Sequence, residues 1–281
     1  MKAHGNVTLV LGGTGKTGRR VVERLRARDL PVRVGSRSGA PPFDWEDRST
    51  WAPALEGVGS VYLTYYPDLA VPGAVEAAGS FAETAVRSGV SRLALLSGRG
   101  EPEAERAEQA VRATGADLTI LRSTWFMQNF SEDYMLEHVR SGEIRLPAGD
   151  VPTPFLDADD IADVAVAALT DDRHIGQLYE LTGPRSLTFV QAAAEIAQAA
   201  GRKVRYTPVS LEQHEAELAE QAVADSGARL TVVRSTWFAQ NFSEDYMLEH
   251  VLSGEVALPA GNTPEPFVDA DDIADVAVAA L

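Results

Sequence analysis

From Val7 to Ser123 the chain alternates strand-length apolar runs with segments of helical period: VTLVL, GRRVVERLRAR, PVRVGS, VGSVYLTYY, PGAVEAAGSFAETAVRSG, RLALLS, EAERAEQAVRATG and DLTILRS. Neighbouring strands joined through helices must run parallel, which leaves a doubly wound α/β sheet as the fold class. The later runs DADDIADVAVAAL, QLYELTG, SLTFVQAAAEIAQAAGRK and VRYTPVS are a more mixed α+β stretch, the place to build a small substrate lobe. The expected division is a nucleotide-binding domain over 1–150, a substrate-side lobe over 151–214 and a remainder over 215–281.

The first unit, VTLVLGGTGKTGRRVV, places Gly12, Gly15 and Gly18 at the turn from a strand into a helix. One glycine serves the tight turn, one the approach of backbone to a pyrophosphate, and one the packing of helix on strand, which is a Rossmann-like dinucleotide fingerprint. The helix start then offers free N–H groups and a positive dipole end to the anion. A phosphate loop of the ATPase kind needs a further glycine five residues before Gly15, where this chain has Val10. The second strand ends in Ser36, Arg37 and Ser38, with no acid to bind the ribose of NAD, so Arg37 points to NADP(H).

Nine Lys and Arg against Glu23 and Asp29 lie within residues 1–40, while the whole chain carries a net charge of −16. That balance argues against direct nucleic-acid binding, which needs clustered cations facing phosphates. The arginines of RRVVERLRAR read as a solvated helix face. With no Cys, thiolate chemistry and Cys-ligated metals are excluded. No apolar run reaches the roughly 20 residues of a membrane span, and the N-terminus reads as a strand rather than a signal peptide, so a cytoplasmic protein is expected. The acids of DADDIADVAVAAL lack the glycine and closing Glu of a calcium loop and read as helix caps, so no metal site is expected.

A Tyr followed four residues later by Lys, the usual proton relay of short-chain dehydrogenases, is absent: the only lysines are Lys2, Lys16 and Lys203. Tyr134 has His138 at that spacing, a pair more often found on surfaces or in packing. Ser97 ends a strand at the ligand-bearing edge, as a ligand contact or a structural cap. After DLTILR come Trp125, Phe126, Asn129, Phe130 and Tyr134, which suit a wall for a flat, apolar or aromatic substrate and equally suit a core.

Residues 103–169 recur as 215–281 at a fixed offset of 112, with 52 identities in 67 positions. The copy has no glycine-rich turn of its own, so it makes no second cofactor site. It reads as a duplicated or spliced fragment rather than an independent domain, and its strand RLTVVR competes with DLTILR for one slot in the sheet, within the chain or by exchange between chains. The first copy, with the shorter connection, is expected to hold the slot.

The motifs GGTGKTGRR, GSRS, FDWEDRSTW, LALLSGRG, LRSTWFMQNF, PFLDADDIADVAVAAL and GQLYELTG together resemble the NmrA-like branch of atypical short-chain dehydrogenases. The chain is similar to actinobacterial members grouped with ergot-alkaloid festuclavine dehydrogenases and quinone oxidoreductases, over residues 6 to about 214. The resemblance implies a Rossmann domain with a small lobe, binding NADP(H). It also implies one of two roles: reduction of small electrophiles such as quinones or imines, or a redox sensor that binds NADP(H) without turnover and acts through a regulatory protein partner. A homodimer is compatible with either. By position, Gly12, Thr14, Gly15, Lys16, Thr17 and Gly18 would hold the pyrophosphate and Arg37 the 2′-phosphate. Asp44 and Trp45 would lie by the adenine, Thr64 and Tyr65 by the ribose, and Ser97 near the nicotinamide. The departure is after residue 214, where the copy replaces a helical segment that helps close the family's substrate pocket.

Overall fold

A computed structural model describes residues 7–132, 135–227, 237–238, 252, 267–268 and 270–280. The chain divides into two compact units, one ending at Val209 and one beginning at Ser210. In the first, β1 (Val7–Leu11), β2 (Val32–Gly35), β3 (Val58–Leu63), β4 (Arg92–Gly98), β5 (Asp117–Ser123) and β7 (Leu178–Leu181) form a parallel six-stranded sheet in the order β2-β1-β3-β4-β5-β7.

Each central strand divides its side chains between two cores with the period of two that a pleat imposes. Leu9, Leu11, Val61, Leu63, Leu93, Leu95 and Ile120 face one core, with residues of α2 (Trp51–Leu55), α3 (Ala74–Arg87) and α4 (Pro102–Arg112). Val10, Tyr62, Ala94 and Leu121 face the other, under α1 (Lys16–Arg26) and α7 (Ala158–Thr170). Ala162, Ala165 and Ala168 of α7 are fully buried, their short side chains letting the helix lie close on the sheet.

The remaining elements are α5 (Asn129–Glu132), α6 (Met135–Ser141), β6 (Glu143–Leu146), α8 (Phe189–Ala200) and β8 (Arg205–Pro208). β6 and β8 pair in parallel as a separate two-stranded sheet. Phe130, Met135, Ile144, Leu146, Phe155, Phe189 and Val204 make the core of this lobe. The lobe takes residues from both sides of α7 and β7, which complete the main sheet, because α7 is the crossover that carries the chain from the lobe back to the sheet edge. The first copy of the repeat holds the slot between β4 and β7, as its short connection to β4 requires.

The second unit contains α9 (Leu211–Asp225), β9 (Trp237–Phe238), β10 (Phe267–Val268) and α10 (Ala270–Ala280). β9 and β10 pair in parallel, Phe267 with Trp237 and Val268 with Phe238. Their equivalents in the first copy make the same match: Phe126 bridges Leu156, with Leu156 N donating to Trp125 O at 2.8 Å. α10 repeats the sequence of α7 up to Ala168, but Val278 is 73% exposed where its equivalent Val166 is fully buried. Because the described core clusters draw only on residues of the first unit, truncation after Gln213 should shift the midpoint of its thermal unfolding by no more than a few degrees, read by circular dichroism; a loss of cooperative unfolding would contradict this.

Candidate functional site

The turn from β1 into α1 lies at the point where the strand order reverses, with β2 on one side of β1 and β3 on the other. In open α/β sheets this reversal opens the crevice that receives ligands. Gly12 has φ +57°, a left-handed conformation, and Thr64 Cγ2 lies 3.0 Å from where a Cβ would stand. A Cβ on Gly18 would lie 2.2 Å from the Gly12 carbonyl oxygen, so only glycine lets α1 approach the turn. Gly15 N–H donates to Gly12 O at 2.8 Å, and Gly15 stands at the N-cap of α1 with no capping side chain and no acid in the first turn. This cradle fits a pyrophosphate: backbone donors, a positive dipole end and no side chain in the way. Gly12, Thr14 and Gly15 form its exposed lip, Lys16 is half-buried, and Thr17 and Gly18 are buried, Thr17 against Tyr62 of β3.

Beside the turn, Gly13 N–H reaches Gly35 O at 3.4 Å, joining it to the end of β2. The next loop closes on Ser36, whose carbonyl accepts from Gly39 N and Phe43 N, both at 2.9 Å, and leaves Arg37 exposed with no ion pair among the described residues. Asp44 is held in a local turn, its Oδ1 accepting from Glu46 N and its carbonyl from the Trp51 indole. Trp45 packs 4.8 Å from Tyr65 and edge-on to Phe43, Trp51 and Phe81. Arg37, Trp45, Thr64 and Tyr65 thus sit at the ends of β2 and β3, around the turn.

Ser97 is placed differently from a ligand contact on an open edge. It is 4% exposed and donates to Glu108 Oε1 at 2.7 Å, and Arg122 forks onto the same carboxylate at 2.8 and 2.7 Å. Glu108 is 1% exposed, a buried charge that persists only with such partners. The Arg122 guanidinium is correspondingly held above its ordinary range by the Glu108 hydrogen bonds.

The aromatic segment after β5 divides in two. Phe130 is buried among Phe155 and Phe189, which is core packing. Trp125 keeps 37% of its surface exposed while its ring meets Phe189 edge-on. Lys16 donates to Asn129 Oδ1 at 2.6 Å and lies 5.9 Å over the Phe126 ring, so Phe126 and Asn129 are joined to the glycine turn. Tyr134 lies outside the described residues, and with it the pairing to His138.

The helix face that read as solvated is an ion-pair seam. Glu132 receives Arg19 and Arg20 at 2.9 and 2.8 Å, and Asp159 receives Arg20 and Arg24 at 3.0 and 2.9 Å. Arg24 also meets Asp163 at 2.5 Å. Arg20 is only 9% exposed. Its hydrogen bonds, followed by those of Arg19, hold the Glu132 carboxyl down to about 2. Asp159 and Asp163 are spaced four apart, as are Arg20 and Arg24, so each pair lies on one helix face. Asp157 caps α7 by accepting from Asp159 N, the capping role read for this acidic run.

A glycine turn at the switch point of a parallel sheet, with a lobe beside its C-terminal edge, defines an NAD(P)-binding protein of the Rossmann type. The comparisons narrow the class. The NmrA-like family model matches residues 105–225. An NAD(P)H azoreductase of Xenophilus azovorans is 32% identical over 240 residues, 78% of this chain and 81% of the relative. Festuclavine synthase II of Penicillium roqueforti is 31% identical over 285 residues, 93% of this chain and 96% of the relative. In fold, an NADPH-dependent quinone oxidoreductase of Escherichia coli, solved with NADPH, superimposes with a TM-score of 0.60 at 24% identity, covering 79% of this chain and 83% of that one. The chain belongs to the NmrA-like family, among oxidoreductase-like proteins that use a nicotinamide cofactor. No helix among the described residues is long and apolar enough to cross a membrane.

Two outcomes follow from this geometry. Gly18→Ala forces helix and turn apart and should cost about 1–3 kcal/mol, the range for overpacking, measured by chemical denaturation. Glu132 has a folded pKa below its unfolded one, so its contribution is present above the usual carboxylate range and is lost as pH falls toward about 2. Glu132→Gln should therefore lower stability at neutral pH by about 1 kcal/mol, discounted for its partial exposure, and should flatten the acid limb of the stability profile.

Proposed function

We propose that this protein is an NADP(H)-dependent oxidoreductase that delivers hydride to a small electrophilic acceptor of the quinone or imine kind. The observation that carries the cofactor choice is Arg37: an exposed guanidinium at the end of β2, beside the Gly13–Gly35 contact, where a carboxylate would otherwise select NAD. When bound, NADPH supplies the hydride. The N–H groups of the first turn of α1 hold the pyrophosphate beside the side-chain-free Gly15, Lys16 adds charge at its edge, and Arg37 meets the 2′-phosphate. Trp45 and Tyr65 offer ring faces to the adenosine half.

On the acceptor side, Trp125 and Phe126 offer an apolar wall. The hydrogen bond from Lys16 to Asn129 ties this wall to the cradle, so both halves of the reaction are referenced to one turn. The names of the relatives, an azoreductase and a festuclavine synthase, support a flat or unsaturated acceptor.

Titration of the purified chain with NADPH and NADH should give one site with NADPH preferred. Arg37→Ala should weaken NADPH by ~10- to 100-fold, the worth of a charge-assisted bond, with NADH unchanged; an equal loss for both would remove the 2′-phosphate role. NADPH consumption with quinone or imine acceptors is expected, whereas tight binding without turnover across a broad panel would favour a sensor acting through a protein partner.

A further inference from the structure

Hydride transfer to a neutral acceptor leaves a negative charge that must take up a proton, and the Tyr-x-x-x-Lys relay is absent from this sequence. One carboxyl outside the groups already used stands at the ligand-bearing edge of the sheet. Glu101 follows the end of β4 by three residues and occupies the N-cap position of α4, yet its side chain makes no capping hydrogen bond. It turns back onto Gly98, the last residue of β4: a Cβ on Gly98 would coincide with the carboxyl, at 1.8 Å from Oε2 and 2.9 Å from Oε1. Oε2 is buried and has no hydrogen-bond partner. A carboxylate in that condition would be penalised heavily, whereas the neutral acid is not, and the residue as a whole is only half-buried.

The surroundings favour its neutral form over its charged one. Burial first, and then Asp68 on the loop after β3, push the Glu101 carboxyl up from its ordinary range. The nearby cations are engaged elsewhere, Arg99 with Glu180 and Arg122 with Glu108, Glu105 and Glu180. Of the other acids on the first turn of α4, Glu103 is paired with Arg106 and Glu105 with Arg122.

We propose that Glu101 is the proton donor for acceptors that need one. The inference rests on the hydride-transfer reading above. A neutral quinone or imine gains a hydride from the nicotinamide and a proton from Glu101. The C=O or C=N π bond is reduced and the Glu101 O–H bond breaks, leaving a carboxylate that is reprotonated from solvent. An acceptor already cationic, such as an N-alkylated iminium or a cationic triarylmethane dye, takes the hydride alone and makes no demand on Glu101.

The test compares wild type, Glu101→Gln and Gly98→Ala with both acceptor kinds. Glu101→Gln keeps the size and a hydrogen-bond donor but cannot give up a proton. It should slow quinone reduction by ~10²-fold or more, the usual worth of general acid catalysis, with NADPH affinity and cationic-acceptor turnover unchanged. Gly98→Ala, which moves the carboxyl, should slow the same reaction selectively. Equal slowing of both acceptors, or none, would overturn the assignment; no turnover of either acceptor by the wild type would instead overturn the hydride-transfer reading. A second readout needs no turnover. An acid with a raised folded pKa stabilises fully below its unfolded value and loses that contribution as pH rises through the folded one. Wild-type unfolding free energy should therefore fall over the range just above the ordinary glutamate pKa, and Glu101→Gln should remove that fall. A profile identical in the two proteins would show that Glu101 ionises normally and would overturn the proposal.

Discussion

The approach of Gly18 to the Gly12 carbonyl fixes where α1 begins and how it lies on β1. The axis of α1 aims its unsatisfied N–H groups at the sheet edge, and its rotation turns Arg20 and Arg24 toward α7 rather than toward solvent. Asp159 and Asp163 answer them from α7, and Glu132 from the first short helix of the lobe. A single backbone contact thus orients the cradle, the crossover helix α7 and the lobe together. Any side chain at Gly18 would disturb all three.

The polar groups of the site region are of two kinds. Glu108, Ser97 and Arg122 hydrogen-bond to one another beneath the strand ends, with Arg122 reaching on to Glu105 and Glu180, and the set ties β4, β5 and α4 together. Arg37 is exposed with no ion pair among the described residues, and Glu101 Oε2 is buried without a hydrogen-bond partner. Satisfied and unsatisfied polar groups thus lie side by side at the same strand ends.

The sheet and the glycine turn were legible because they follow from local pattern: apolar runs of strand length, helical period and a glycine at each place where backbone meets backbone. The seam between α1 and α7 was written in the matching four-residue spacings of Arg20 with Arg24 and Asp159 with Asp163, but reading it requires knowing that the two helices are neighbours. Phe130 and Trp125 share one aromatic segment, and composition could not tell that the first would be enclosed by Phe155 and Phe189 while the second kept an open face. The outline of the lobe was not legible because α7 and β7 leave it and return to the sheet, a long-range choice. The inward turn of Ser97 depends likewise on Glu108, which in sequence is one acid in a charged helix.

The segment ADDIADVAVAA is helical in both copies, once covered by a sheet and once with Val276 and Val278 facing water. Its helicity is therefore not owed to the sheet: alanines and an acidic first turn suffice for the winding, and burial only adds stability where a sheet is available. In the exposed copy Val276 and Val278, two residues apart, leave bare apolar surface on different sides of the helix, and Asp272 and Asp275 are exposed on the same helix. Asp163, an ion-pair partner in α7, has its equivalent Asp275 exposed in α10, where it adds charge to a helix with bare valines, so one acid holds the first helix down and helps keep the second from sticking.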